Sequence, residues 1–167
     1  MQQVLTIAAV CVAVLVALVA SVWAWVKLAA RTLALPEFFD EVHEVHTEDG
    51  ATIVLARLLP RGEKSSDPPV LMCHGLAMNR RAFALDPQRS FAVALAETGR
   101  DVWLLELRGA VNGPVPKALK RSCFDDYSAH DVPKALEFVC LQTDAPHVDW
   151  VGFSMGGMLA YAHLGAR

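Results

Sequence analysis

Gly152-Phe153-Ser154-Met155-Gly156 sets a serine between two glycines in a G-x-S-x-G pattern, and Gly157 extends it. An unassisted hydroxyl is a weak nucleophile at neutral pH. Serine chemistry therefore needs an exposed Oγ, a base within hydrogen-bond reach and donors for the developing oxyanion. The pattern meets the first need when it forms a sharp strand-to-helix turn, because glycines lack the Cβ atoms that would collide in the bend. Val148 to Phe153 reads as a strand and Met155 to Leu164 as a helix, so Ser154 falls at that junction. Its Oγ would stand over a helix N-terminus, whose free N–H groups and partial positive charge favour an anion. The Met155 N–H is then one oxyanion donor. The second is expected from His74-Gly75-Leu76, the loop after an earlier strand, with the Leu76 N–H as donor. The competing reading makes Ser154 a small polar residue in a glycine-rich turn of a non-catalytic domain. The order of the two motifs along the chain favours the nucleophile.

These residues need a sheet to hold them. Val70-Leu71-Met72-Cys73 and Val102-Trp103-Leu104-Leu105 are short continuous apolar runs, the form of strands covered on both faces. β-branched segments on either side of Asp49-Gly50 predict a hairpin whose returning strand is Thr52 to Leu58. Pro60 to Pro69 is a polar surface loop. A helix is predicted from Ser90, its N-cap, to Thr98, with Gly99 as the stop. Between Asp131 and Leu141, Val132, Ala135, Leu136, Val139 and Cys140 line one helical face, and Pro133 is tolerated in the first turn. Strands alternating with helices predict an α/β fold, a mostly parallel sheet with helices on both faces. There are no internal repeats or low-complexity tracts.

Apolar residues make up 54% of the chain and charged ones 20%, more apolar than an ordinary soluble domain. The excess lies between Val4 and Val26, which carry no charge, with Leu33 to Pro36 closing the segment. At ~1.5 Å per residue this run spans a hydrocarbon core of roughly 30 Å, so one transmembrane helix is expected and a lipid bilayer is its partner. A cleaved signal peptide would want a basic start and a shorter apolar run, although Val22-Trp23-Ala24 is a weak cleavage site. A buried core helix is the third reading. Trp23 and Trp25 suit the membrane interface, and Lys27 and Arg31 beyond them place that end in the cytoplasm. The expected domains are an anchor over residues 1–31 and a partial catalytic domain over residues 32–167.

A net charge of −3 without a basic, aromatic-interleaved stripe excludes nucleic acid as a partner. Of the four cysteines, Cys11 lies in the apolar run, and Cys73, Cys123 and Cys140 have no metal-ligand spacing. Cys73 and Cys140 read as buried free thiols, and Met72, Met155 and Met158 as gap-filling core residues. No metal and no organic cofactor is expected.

Taken together, these motifs resemble the α/β-hydrolase family from about Val42 onward. His74-Gly75 is similar to its oxyanion loop, Arg108-Gly109 to the turn after its fourth strand, and Gly152 to Gly156 to its nucleophile elbow. Phe124-Asp125-Asp126-Tyr127, followed by Asp131-Val132-Pro133-Lys134-Ala135-Leu136, resembles acid-lipase-like members and polyhydroxyalkanoate synthases. The latter use cysteine at the elbow, and this chain has Ser154.

The resemblance implies a serine hydrolase of carboxylic esters, lipase- or esterase-like, acting on an apolar acyl ester beside the membrane. A thioesterase, amidase or acyltransferase on the same elbow is the alternative, as is a non-catalytic membrane-tethered scaffold. In the family the triad acid and histidine follow the nucleophile in chain order, so both are expected beyond Arg167. The chain then reads as the N-terminal portion of the enzyme, inactive by itself. His163 lies on the helix of the elbow and faces elsewhere, and His74 reads as the holder of its loop. His43, His46, His130 and His147 read as surface or capping residues. Asp125, Asp126 and Asp131 read as capping or solvating a helix start.

Overall fold

A computed structural model of the chain describes residues 2–32, 37–88, 90–110 and 122–166. They form two compact units, Met1–Glu37 and Phe38–Arg167. Leu33 to Pro36, expected to close the membrane segment, lie outside the described residues.

The first unit is one helix, α1 (Gln2–Thr32). Its stretch Ala9–Ala29 has a mean hydropathy of 2.5 and is long and apolar enough to cross a membrane. The two polar side chains of the uncharged run are satisfied within the helix: the Thr6 hydroxyl donates to the Gln2 carbonyl at 3.0 Å and that of Ser21 to Ala17 at 2.8 Å. Neither would present a bare donor to hydrocarbon. The helix continues beyond Val26, and the Lys27 ammonium lies 3.7 Å from the centroid of the Trp23 ring, one turn back.

The second unit is built on five strands, β1 (Glu41–His46), β2 (Thr52–Leu58), β3 (Val70–Cys73), β4 (Val102–Glu106) and β5 (Asp149–Gly152), in the order β1-β2-β4-β3-β5. β1 and β2 form the predicted hairpin around Asp49-Gly50, pairing His46 with Thr52. β2 is antiparallel to β4, whereas β3 is parallel to β4 and to β5. Four strands therefore point one way and β2 alone is reversed. The helices are α2 (Phe91–Glu97), α3 (Phe124–Asp126), α4 (Val132–Thr143) and α5 (Met155–Gly165); a π-turn over Tyr127–Asp131 joins α3 to α4.

Alternation along the strands makes two cores. Ile53, Leu55, Leu71, Cys73, Trp103 and Leu105 face one side and pack with Val132, Ala135 and Val139 of α4 and Leu159 of α5. Ala56, Leu58, Val70, Met72, Val102 and Leu104 face the other and pack with Ala92, Val93 and Ala96 of α2. β3 and β4 are buried at every residue, which is why their sequences are continuous apolar runs rather than alternating ones. β5 is an edge of the described sheet and is only partly covered.

Several sequence expectations change: Met158, read as a core residue, is exposed, and Cys140, read as a buried thiol, is only partly buried. His43 is not a bare surface residue: it hydrogen-bonds the Glu41 carboxylate at 3.0 Å, stacks on Trp103 and meets the Phe138 ring at a tilt. His46 has a local partner too, the Thr52 hydroxyl at 3.1 Å. Asp131 does not solvate a helix start. It is fully buried, accepting the Arg108 backbone N–H at 3.0 Å and Nε at 2.7 Å. The same guanidinium reaches Asp49 in the hairpin turn, so Arg108 ties the end of β4 to the hairpin and to α4. Asp126 does cap, accepting the Cys123 N–H at 2.8 Å.

Candidate active site

β5 ends at Gly152 and α5 begins at Met155, leaving two residues to reverse the chain. Ser154 takes φ 51° and ψ −116°, a left-handed conformation costly for a residue with a Cβ. The turn is so tight that a Cβ on Gly152 would lie 2.4 Å from the Gly157 nitrogen, and one on Gly156 would lie 2.2 Å from the Cys73 carbonyl oxygen. Both positions are closed to any side chain. Strand and helix are also stitched together: the Phe153 N–H donates to Cys73 at 3.0 Å, and the Trp150 indole N–H donates to the Gly156 carbonyl at 3.0 Å. The result is an exposed Ser154 on a rigid bend.

The neighbouring loop leaves the end of β3. A Cβ on Gly75 would stand 3.2 Å from Ser154 Cβ, so the loop backbone passes beside the serine. His74 is buried and both ring nitrogens are engaged. Nδ1 lies 2.8 Å from the Gly75 carbonyl, to which it must donate, and Nε2 accepts the Leu107 N–H at 3.3 Å. That pairing selects the neutral Nδ1–H tautomer. Burial agrees with it, lowering the His74 pKa from its ordinary value. The Cys73 thiol beside it is pushed up to about 12 by burial and stays a thiol.

The sequence-predicted residues Gly152, Ser154, Met155, Gly156, His74, Gly75 and Leu76 thus converge at the C-terminal ends of β3 and β5. Neither the Met155 nor the Leu76 N–H has an acceptor among the described residues. The two N–H groups belong to the segments that flank the exposed hydroxyl, Met155 directly after Ser154 and Leu76 directly after Gly75. Ser154 Oγ makes no hydrogen bond among the described residues, so no base or orienting carboxylate is brought to it. His163 lines a cavity of about 350 Å³ with Leu136, Cys140 and Trp150, and Ser154 is not in its wall.

Three features of the loop are absent from the sequence reading. Asn79 caps a 3₁₀ turn over Arg80–Ala82, accepting the Arg81 N–H at 3.0 Å. Ala77 sits at φ 57°. Arg80 and Glu106 form a largely buried ion pair at 2.5 Å. Asn followed two residues later by a donor N–H is a common turn motif and could have been noticed; the ion pair, spanning 26 positions, could not.

A family model described as the alpha/beta hydrolase fold matches residues 68–165, and one for the partial α/β-hydrolase lipase region matches residues 37–86. A probable lipase of Schizosaccharomyces pombe is 32% identical over 140 residues, covering 74% of this chain and 30% of that protein. Human gastric triacylglycerol lipase is 30% identical, covering 73% of this chain and 34% of the lipase. The chain spans about a third of the length of these curated relatives. Among solved structures, an α/β hydrolase from Novosphingobium aromaticivorans superposes with a TM-score of 0.58 at 24% identity, over 76% of this chain and 40% of that one. A second, from Penicillium sp. sh18, gives 0.57 at 19% identity, over 76% and 42%. At these identities both speak to the fold.

Proposed function

Because the chain belongs to the α/β-hydrolase fold family, we propose that it carries the nucleophile and oxyanion hole of a lipase- or esterase-like serine hydrolase. Ser154 Oγ attacks an ester carbonyl. The Met155 and Leu76 N–H groups receive the oxyanion; its collapse breaks the bond to the alcohol, which departs with the proton taken from the serine and leaves Ser154 acylated, and water then releases the acid and restores the hydroxyl. A histidine oriented by a carboxylate takes the serine proton in this chemistry, and neither is brought to Ser154 among the described residues. No metal or organic cofactor enters these steps. The observation that carries the reading is Ser154 held at φ 51° and exposed beside two unpartnered N–H groups. Backbone strain of that kind is concentrated at working sites. The lipases among the relatives support ester hydrolysis over thioester or amide cleavage and over acyl transfer.

On this reading α1 is an uncleaved anchor with the domain on the cytoplasmic side, and the substrate is an apolar acyl ester drawn from the bilayer. A non-catalytic tethered scaffold is the second reading, favoured by the lack of any hydrogen bond to Ser154 Oγ among the described residues. Labelling of the full-length protein with a fluorophosphonate separates the two. Labelling that disappears in Ser154→Ala is expected; an unreactive Ser154 in folded full-length protein would establish the scaffold.

A further inference from the structure

The loop Gly75–Asn79 is tied at both ends to consecutive residues at the end of β4. At its start His74 accepts the Leu107 N–H at 3.3 Å while holding the Gly75 carbonyl at 2.8 Å. At its end Arg80 donates to the Glu106 carboxylate at 2.5 Å. Cys73 and Leu105 are register partners, so the two strands deliver both anchor points at the same level of the sheet. Between the anchors the backbone is not relaxed. Ala77 holds φ 57°, and the one bond closing the loop on itself runs from the Met78 N–H to the Gly75 carbonyl at 3.3 Å.

Such a conformation in a non-glycine residue persists only where its surroundings over-determine it. The Arg80–Glu106 pair is unusual in its cost. The side chains are 12% and 7% exposed, and Arg80 also lies over the Phe39 ring at 5.4 Å. Two apolar side chains of similar volume would serve stability as well as a buried ion pair does. What an apolar pair lacks is direction: the charge-assisted hydrogen bond from Arg80 Nη1 to the Glu106 carboxylate has a preferred length and angle.

We infer that Arg80 and Glu106 are positioning residues that hold the Gly75–Asn79 loop, and with it the Leu76 N–H, in register with Ser154. The inference rests on the serine-hydrolase reading above for its kinetic consequence and on geometry alone for its structural one. The pair touches no reacting atom. It acts by denying the loop the small outward shift that would take a donor out of line with the oxyanion, where about 1 Å of misplacement can cost ~100-fold in rate.

The test uses full-length protein and the double substitution Arg80→Met with Glu106→Leu. Thermal unfolding should stay within about 3 °C of the parent. Turnover of a short-chain ester should fall at least about tenfold in kcat, with KM within about twofold, because ground-state binding does not use the oxyanion donors. Hydrogen exchange at the Met78 amide should accelerate about tenfold or more, as the loop opens locally. Glu106→Gln, which keeps an acceptor oxygen for Arg80, should restore most of the turnover. A double variant with parental kcat and parental Met78 exchange overturns the inference. If the double variant folds poorly, Arg80→Gln decides, since it keeps much of the side chain and loses the charge-assisted bond from Nη1 to Glu106: unchanged kcat and unchanged Met78 exchange overturn the inference equally. Turnover that survives Ser154→Ala would instead sink the hydrolase reading, and Met78 exchange would still report on the pinning.

Discussion

The α-carbon of Gly156 faces the Cys73 carbonyl so closely that a Cβ there would sit 2.2 Å from that oxygen. Helix α5 therefore starts in backbone contact with the end of β3, and that contact carries Ser154 to the mouth of the His74 loop. A single methyl group would have to push helix and strand apart.

Gly156→Ala should accordingly destabilise the domain by several kcal/mol, at the upper end for overpacking, since the obstructing atoms are backbone and cannot rotate away. Gly157 is the internal control. A Cβ there meets nothing nearer than 3.5 Å, so Gly157→Ala should be neutral or stabilising by about 0.5–1 kcal/mol through helix propensity. Denaturant melts of the pair in detergent read the contrast. Equal effects of the two substitutions would mean that the bend is looser than described.

Ser154 allows chemistry and strain to be separated. Ser154→Ala keeps the Cβ and with it the cost of φ 51°, so stability should change by less than about 0.5 kcal/mol while turnover is lost. Ser154→Gly removes the nucleophile as well and should raise stability by about 1 kcal/mol, the relief of left-handed strain less the added entropy of the unfolded chain. Both variants should be inactive and differ only in melting. If Ser154→Gly is no more stable than Ser154→Ala, the strain assigned to the elbow is absent.

What the sequence discloses here is what depends on local pattern. Val70 to Cys73 coincides with β3 to the residue, because a strand buried on both faces must be apolar throughout. The elbow is legible because its glycines, its preceding strand and its following helix are contiguous. The oxyanion loop follows from its place after β3. The polar clamps were not legible. Arg108 meets Asp131 across 23 positions, Arg80 meets Glu106 across 26 and Arg57 meets Asp101 across 44. Nothing in the spacing of such residues says which pairs the fold will bury. Asp131 shows the consequence: beside Pro133 at a helix start it looks like a capping group, and only the turn after β4 turns it into a buried counter-ion.

Arg108 should be among the residues least tolerant of change. Arg108→Met strands the fully buried Asp131 carboxylate and releases Asp49, for which about 3–5 kcal/mol is expected. Adding Asp131→Leu to Arg108→Met removes the stranded charge and should recover at least half of that loss. Chemical denaturation of the single and double variants measures both. A double variant less stable than Arg108→Met alone would show that Asp131 contributes through contacts other than this pair.

His74 gives the domain a dependence on pH whose sign follows from its burial. Its folded pKa lies below the ordinary histidine value of about 6.5, so above that pH both folded and unfolded chains carry it neutral and it contributes no slope. As pH falls through about 6.5 the unfolded chain takes up a proton that the folded chain refuses, and stability declines until the folded pKa is passed. A proton on Nε2 would also displace the Leu107 N–H, so the loss has a local address. Asp49 adds a separate decline at lower pH: Arg108 holds its carboxyl well below the usual carboxylate range, so its contribution is complete above about pH 4 and fades beneath it. Full-length protein in detergent should therefore melt progressively lower from pH 7 to pH 5. His74→Gln should start from a lower melting temperature and show a flatter profile over that interval. A parent whose melting temperature is level between pH 7 and pH 5 would mean that His74 is not held neutral by the fold.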